Sequence, residues 1–184
     1  EEFKQLRINN EKVLITVSNL TKCRTELKSN LECTYDDFIN WIWASSNYVP
    51  FMSLLCKDGF EYADGGFGMH TPIQAAINNG ATSIDVIVLE KEHVDKTVAH
   101  PTNAFSTLMQ VFEHMTDQIY RNDITIGNLR AKIRDVKIRF YHLPRDLTSL
   151  PLIFDPVEMK EWWAEGFEYA KKENPTPTII RKEE

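Results

Sequence analysis

The stretch Tyr62–Ala81, YADGGFGMHTPIQAAINNGA, limits what this chain can fold into more than any other. Two adjacent glycines, Gly65 and Gly66, suit a backbone that bends sharply or lies close against another segment. Pro72 suits the first turn of a helix, where its missing N–H leaves no hydrogen bond unmade. Gly80 suits the end of that helix. The pattern therefore predicts a strand, a tight loop and a short apolar helix. Asp64 stands at the first bend, a common position for a carboxylate that serves a partner group.

The flanking sequence extends this plan. KVLITVSNL (12–20) is apolar and β-branched, which predicts a buried strand, and CRTELKS (23–29) predicts a return strand after a turn at LTK. YDDFINWIWA (35–44) predicts a helix capped by Thr34, with Asp36 and Asp37 in the first turn where negative charge is favoured. Its Phe38, Ile39, Trp41, Ile42 and Ala44 predict a helix buried on most sides. SLLCKDGFEYADGG predicts a hairpin turning at Lys57-Asp58-Gly59. SIDVIVLE (83–90) is a near-continuous apolar run, which predicts a strand covered on both faces.

Further on, Phe105, Leu108, Met109, Phe112, Met115 and Ile119 make a helical stripe over 104–120, and 121–134 predicts a second helix after a break. DVKIRFYHL (135–143) alternates as a strand does, with Val136, Ile138 and Phe140 on one face. Asp155 and Pro156 open a C-terminal helix whose last turn carries lysines. On that helix Met159, Trp163, Phe167 and Ala170 form one stripe, read as packing against the body, whereas Trp162 and Tyr169 carry a second reading of transient contact with a membrane surface. Strands alternating with helices make this an α/β chain. No repeat and no second domain are visible in the 184 residues.

Composition narrows the function classes. A net charge of −6 disfavours a phosphate-backbone binder, so no nucleic-acid partner is expected. No apolar run reaches the ~18–20 residues that span a bilayer. Cys23, Cys33 and Cys56 lack metal-ligand spacing and are read as reduced thiols, with a Cys23–Cys33 bridge as the alternative. His93, His100, His114 and His142 show no ligand spacing, and no metal or other cofactor is expected. The acidic, polar start EEFKQLRINN without an initiator Met is read as the interior of a longer protein.

Two motifs stand in fixed order, ASSNYVP (44–50) and ADGGFGMHTP (63–72), followed by the apolar run SIDVIVLE. This series resembles the second half of the patatin-like phospholipase family, over about Lys12 to Glu90. The family carries there an Ala-Ser stretch that runs into a proline, and an Asp-Gly-Gly loop before a proline-led helix. The resemblance implies a three-layer patatin-like α/β sheet flanked by helices, represented only by its C-terminal portion, over residues 1–173. Residues 174–184 are read as a flexible tail.

The resemblance also implies chemistry. It is that of a Ser–Asp dyad that hydrolyses acyl esters of lipids, in which a serine oxygen attacks the carbonyl and the aspartate relays its proton. Asp64 would be the aspartate, with Gly65 and Gly66 shaping its loop, and neither calcium nor another cofactor is implied. The family's serine lies in a Gly-x-Ser-x-Gly elbow. None of Ser18, Ser29, Ser45, Ser46, Ser53, Ser83, Ser106 and Ser149 has glycines at that spacing.

The chain is therefore expected to be inactive alone, its serine lying in a missing N-terminal half of the same or a separate chain. KVLITVSNL would then lie beside strands of that half. The expected setting is cytoplasmic or peripheral at membranes, with a lipid or acyl ester as substrate. The alternatives are a non-catalytic lipid-binding or interaction module that has lost its nucleophile, and an unrelated α/β domain with a structural Asp-Gly-Gly turn. Ser45 and Ser46 read as helix-end serines bonded to backbone, and His70 as a solvated loop histidine.

Overall fold

A computed structural model describes residues 1–89, 100–143, 145, 147, 154–172 and 178–180. The structure is mixed α/β and divides into two compact units, Glu1–Pro72 with Pro101–Ile126, and Ile73–His100 with Gly127–Glu184.

The first unit opens with helix α1 (Glu2–Ile8). Strands β1 (Leu14–Asn19), β2 (Arg24–Ser29), β3 (Leu55–Lys57) and β4 (Phe60–Asp64) form an antiparallel sheet in the order β2-β1-β4-β3. Strand β1 is thus interior, flanked by β2 and β4 of its own chain. That corrects the expectation that it lies beside strands from elsewhere: the return hairpin takes one edge and β4 the other. The β3–β4 hairpin turns at Asp58-Gly59, both with positive φ, as the sequence predicts.

Helix α2 (Tyr35–Ser45) starts at Thr34, whose Oγ1 accepts from the Asp37 N–H at 3.2 Å. It buries Phe38, Trp41 and Ala44. Trp41 meets Tyr62 edge to face at 4.9 Å, and these two with Val17 and Ala44 form the core. The outward residues Ile39, Ile42 and Trp43 are exposed. The expectation of a helix buried on most sides is corrected here, because α2 has a sheet on one side only.

A polar network ties β1 to β2. Buried Asn19 donates to Glu26 at 3.1 Å and accepts from the Lys22 N–H at 2.9 Å, while Lys28 and Arg24 also bond Glu26. Burial alone would raise the Glu26 carboxyl. The bonds from Lys28, Arg24 and Asn19 outweigh it and hold the group at about 2.

The second unit contains α3 (Ile73–Asn78), β5 (Ser83–Ile87), the last residues of α4 (Ala104–Arg134), β6 (Lys137–Tyr141), α5 (Pro156–Lys172) and β7 (Thr178–Ile180). Gly80, at φ +89, closes α3 as expected, with the Ala81 N–H donating to the Ala76 carbonyl at 3.1 Å. The sheet order is β5-β6-β7, with β5 parallel and β7 antiparallel to β6.

Several expectations are corrected in this unit and in α4. Strand β5 is at the sheet edge among the described residues, and its register leaves Ile87 76% exposed while Val86 is buried. It is covered on one face, not two. Residues 104–134 form the single helix α4 with no break, since nothing from Arg121 onward interrupts the helical hydrogen bonding. Thr178–Ile180 pair with β6 where a flexible tail was expected. On α5, capped by Asp155 Oδ1 at 2.8 Å from the Val157 N–H, the stripe expected to pack inward is outward: Trp163 is 80% exposed, and Met159 and Phe167 are exposed too. Trp162 and Tyr169 are the partly covered ones. All three cysteines are free thiols, which removes the Cys23–Cys33 bridge. The connector that includes His93, and Ser149, lie outside the described residues.

Candidate active site

Asp64 is the last residue of β4 and pairs with Val17 of β1. Its N–H donates to the carbonyl of buried Asn47 at 3.1 Å, which ties the strand end to the chain leaving α2. Asn47 is itself fixed by donating its side-chain amide to the Ser53 carbonyl at 2.7 Å. The carboxylate therefore projects from a backbone held on both sides.

The glycine loop wraps back at once. Gly65–Phe67 form a single 3-10 turn, and Asp64 Oδ1 accepts from the Gly66 N–H at 2.8 Å. A Cβ at Gly65 would stand 2.3 Å from both the carbonyl oxygen and Oγ1 of Thr16. Only glycine lets the loop lie this close to β1, which is the physical reason for the first glycine of the motif. Gly66 is less confined, its nearest neighbour being Asp64 Oδ1 at 3.2 Å from a Cβ. Oδ2 of Asp64 accepts no hydrogen bond from the described residues, leaving one carboxylate oxygen open to a proton donor.

The electrostatics raise the basicity of that oxygen. Burial pushes the Asp64 carboxyl above the ordinary aspartate value, against the Gly66 hydrogen bond and the nearby charge of His70, both of which act to lower it. His70 is exposed, edge-on to Tyr120 with ring centroids 5.6 Å apart. The adjoining Thr71 N–H donates to Asp123 of α4 at 3.0 Å, which fixes the loop after His70.

Sequence reasoning singled out Asp64, Gly65 and Gly66, which the structure brings into one turn, and His70, which lies beside it. It missed Tyr48. That phenol is held above its usual value by burial, then by Glu113, then by Asp64, so it lies within electrostatic reach of the carboxylate. Nothing in a Ser-Asn-Tyr-Val-Pro stretch marks this tyrosine in advance; its placement comes from ring contacts with residues far away in sequence. Ser46 behaves as a helix-end serine, its Oγ donating to the Trp43 carbonyl at 2.8 Å. Ser18 is buried on β1 with its Oγ unpartnered, 4.0 Å from a Cβ built on Gly68. Among the described residues no cluster of three or more His, Cys, Asp or Glu could hold a metal ion, and no helix is long and apolar enough to cross a membrane.

Comparison of the chain with models of known protein families gives no match, and comparison with characterised proteins gives none either.

Proposed function

We propose that this chain carries the aspartate half of a Ser–Asp dyad in a patatin-like lipid acyl hydrolase, with the serine supplied from outside these residues. The observation that carries the reading is Asp64: partly buried, raised in proton affinity, anchored through one oxygen to its own glycine loop and open at the other. A free aspartate is a weak base toward a hydroxyl, and desolvation moves it in the useful direction. In the reaction Asp64 takes the proton of the attacking serine as the acyl–serine bond forms. It returns that proton to the leaving alcohol as the ester bond breaks. Water then attacks the acyl-serine, with Asp64 again as base, releasing a fatty acid.

The three-layer sheet belongs to the same proposal, its remaining strands coming with the serine. The cytoplasmic or membrane-peripheral setting is likewise part of it.

The test combines a fluorophosphonate probe with mutation. Protein isolated from its source and treated with the probe should show one covalent adduct, on this polypeptide or on a component that travels with it. Asp64→Ala should abolish both the adduct and ester hydrolysis while circular dichroism stays unchanged. Retained hydrolysis in that variant overturns the assignment. A second reading, a lipid-binding module without a nucleophile, is favoured by the absence of a Gly-x-Ser-x-Gly elbow in the sequence. It is the outcome if no adduct forms.

A further inference from the structure

Two ionisable side chains meet over Gly66. A Cβ built there would touch both, with Asp64 Oδ1 at 3.2 Å and His70 Cδ2 at 3.6 Å. Oxygen and ring carbon are therefore separated by no more than those two distances combined, and the glycine puts no side chain of its own between them. The oxygen concerned is the one that accepts from the Gly66 N–H at 2.8 Å. A seven-residue loop, 64–70, thus makes neighbours of a carboxylate and an imidazole.

The ring is held in this place by α4. Its edge meets Tyr120 with centroids 5.6 Å apart and an interplanar angle of 76°. The next residue is pinned as well, the Thr71 N–H donating to Asp123 Oδ2 at 3.0 Å. His70 Nδ1 stands 3.5 Å from Thr71 Oγ1, and Nε2 makes no hydrogen bond with a described residue. The ring is exposed, so a proton reaches it directly from solvent. All of these residues belong to the first unit.

The ionisable groups around the ring are Asp64 from the loop, and Tyr120 and Asp123 from α4. Asp117 and Arg121, which flank Tyr120 along α4, bond each other at 2.7 Å. Burial raises the Asp64 carboxyl, while the Gly66 hydrogen bond and the charge of His70 lower it. Histidine is the side chain whose charge changes between about pH 5 and 8, so the last of these influences comes and goes with pH. We infer that His70 is a positioning residue for Asp64: its imidazole, by taking up or losing a proton, switches the open carboxylate oxygen between a weaker and a stronger base. The consequence for hydrolysis rests on the proposed dyad; the coupling between the two groups does not. In acid the imidazolium holds the carboxylate in its charged form and weakens it as an acceptor of the serine proton. A neutral ring releases it.

The experiment is an NMR titration of the full-length protein, following the Asp64 carboxyl carbon and the His70 ring after labelling of both residue types. Opposite charges about 6 Å apart in a water-like medium change a proton equilibrium about threefold. His70→Asn should therefore raise the proton affinity of Asp64 about threefold, whereas His70→Arg, which keeps a cation, should leave it near the parent value. Asp64→Asn should lower the proton affinity of His70 by a matching factor, because coupling between two sites is reciprocal. A residue that only propped the loop would not separate the asparagine variant from the arginine one. Position 70 is exposed, and circular dichroism should be unchanged in both.

An Asp64 titration that His70→Asn leaves in place, or that His70→Arg moves as far as His70→Asn does, overturns the inference. So does a His70 titration indifferent to Asp64→Asn. With the dyad in force, the parent's hydrolysis rate should fall by up to about threefold as pH drops through the histidine range. It should stay at the upper level in His70→Asn and at the lower level in His70→Arg. The two proposals fail separately. Matched titration shifts with hydrolysis that survives Asp64→Ala leave the coupling and remove the dyad; hydrolysis lost in Asp64→Ala with an Asp64 titration unmoved by His70→Asn does the reverse.

Discussion

Strands β1 and β5 look alike in sequence and fare differently in the fold. Both are β-branched, apolar runs, KVLITVSNL and SIDVIVLE. Strand β1 sits between two strands of its own sheet, and its Val17 is 0% exposed under α2. Among the described residues strand β5 has a single neighbour, β6, and Ile87, with Leu89 just beyond it, is exposed while Val86 and Val88 are buried. The difference teaches that an apolar run reports a tendency to be buried and says nothing of which neighbours do the burying. Glycine placement shows the same contrast: Gly65 lies against β1 of the first unit, whereas Gly166 on α5 of the second has nothing within 4 Å of a Cβ.

The sharpest way to break the comparison is to truncate interior and edge residues in turn. Ile138 on β6 is fully buried, and Ile138→Ala should cost about 2–5 kcal/mol in urea-induced unfolding. Ile87→Ala, on the outward face of β5, should stay within about 0.5 kcal/mol. Similar costs for the two would mean that the outer face of β5 is covered after all.

The glycines come next. Gly65→Ala forces a methyl into the Thr16 backbone and should destabilise by about 1–3 kcal/mol in urea-induced unfolding. Gly166→Ala, in the open middle of α5, should instead stabilise by up to about 1 kcal/mol. A tolerated Gly65→Ala would show that the loop stands off β1.

Acid unfolding separates Glu26 from Asp64, two carboxylates of the first unit shifted in opposite directions. Glu26 is held at about 2 against an ordinary 4.5, so its contribution is complete above about pH 4.5 and disappears as pH falls toward 2. The melting-temperature gap between the protein and Glu26→Gln should therefore be widest at neutral pH and narrow through that window. A constant gap would mean that the Lys28, Arg24 and Asn19 bonds do not lower this group.

The smallest effect is expected at Asp64, whose value is raised, so its ionised form is the costly one in the fold. Asp64→Asn keeps an oxygen for the Gly66 N–H and should melt no lower than the parent at pH 7. A clear drop would show that the charge stabilises the loop, and would weaken its reading as a strained base.

Much of the local structure was legible before any coordinates. The Thr34 cap, the Asp58-Gly59 turn, the end of α3 at Gly80, the Asp155 cap and the alternation of β6 all rest on contacts a few residues apart. So did the presence of Asp64 on a glycine loop. The misread parts depend on distant partners. The outward faces of α2 and α5 are as apolar as their covered faces, so periodicity could not tell which side meets a sheet. Strand β7 is three residues long and exists because β6 offers it an edge. The break expected between Tyr120 and Arg121 is absent, and α4 runs unbroken from Ala104 to Arg134.

The sequence by itself determined most of the elements between β1 and α5, their α/β character and a carboxylate presented on a tight glycine turn, because caps, turns and strand periodicity are set by neighbours along the chain; α1, the unbroken α4 and β7 were not among them. Only the tertiary structure decided that Gly65 presses on Thr16, that burial raises Asp64, and that Tyr48, Phe67 and Phe112 gather into one aromatic cluster. Those properties come from desolvation and packing between segments separated by tens of residues, and a linear pattern carries no record of which surfaces will meet.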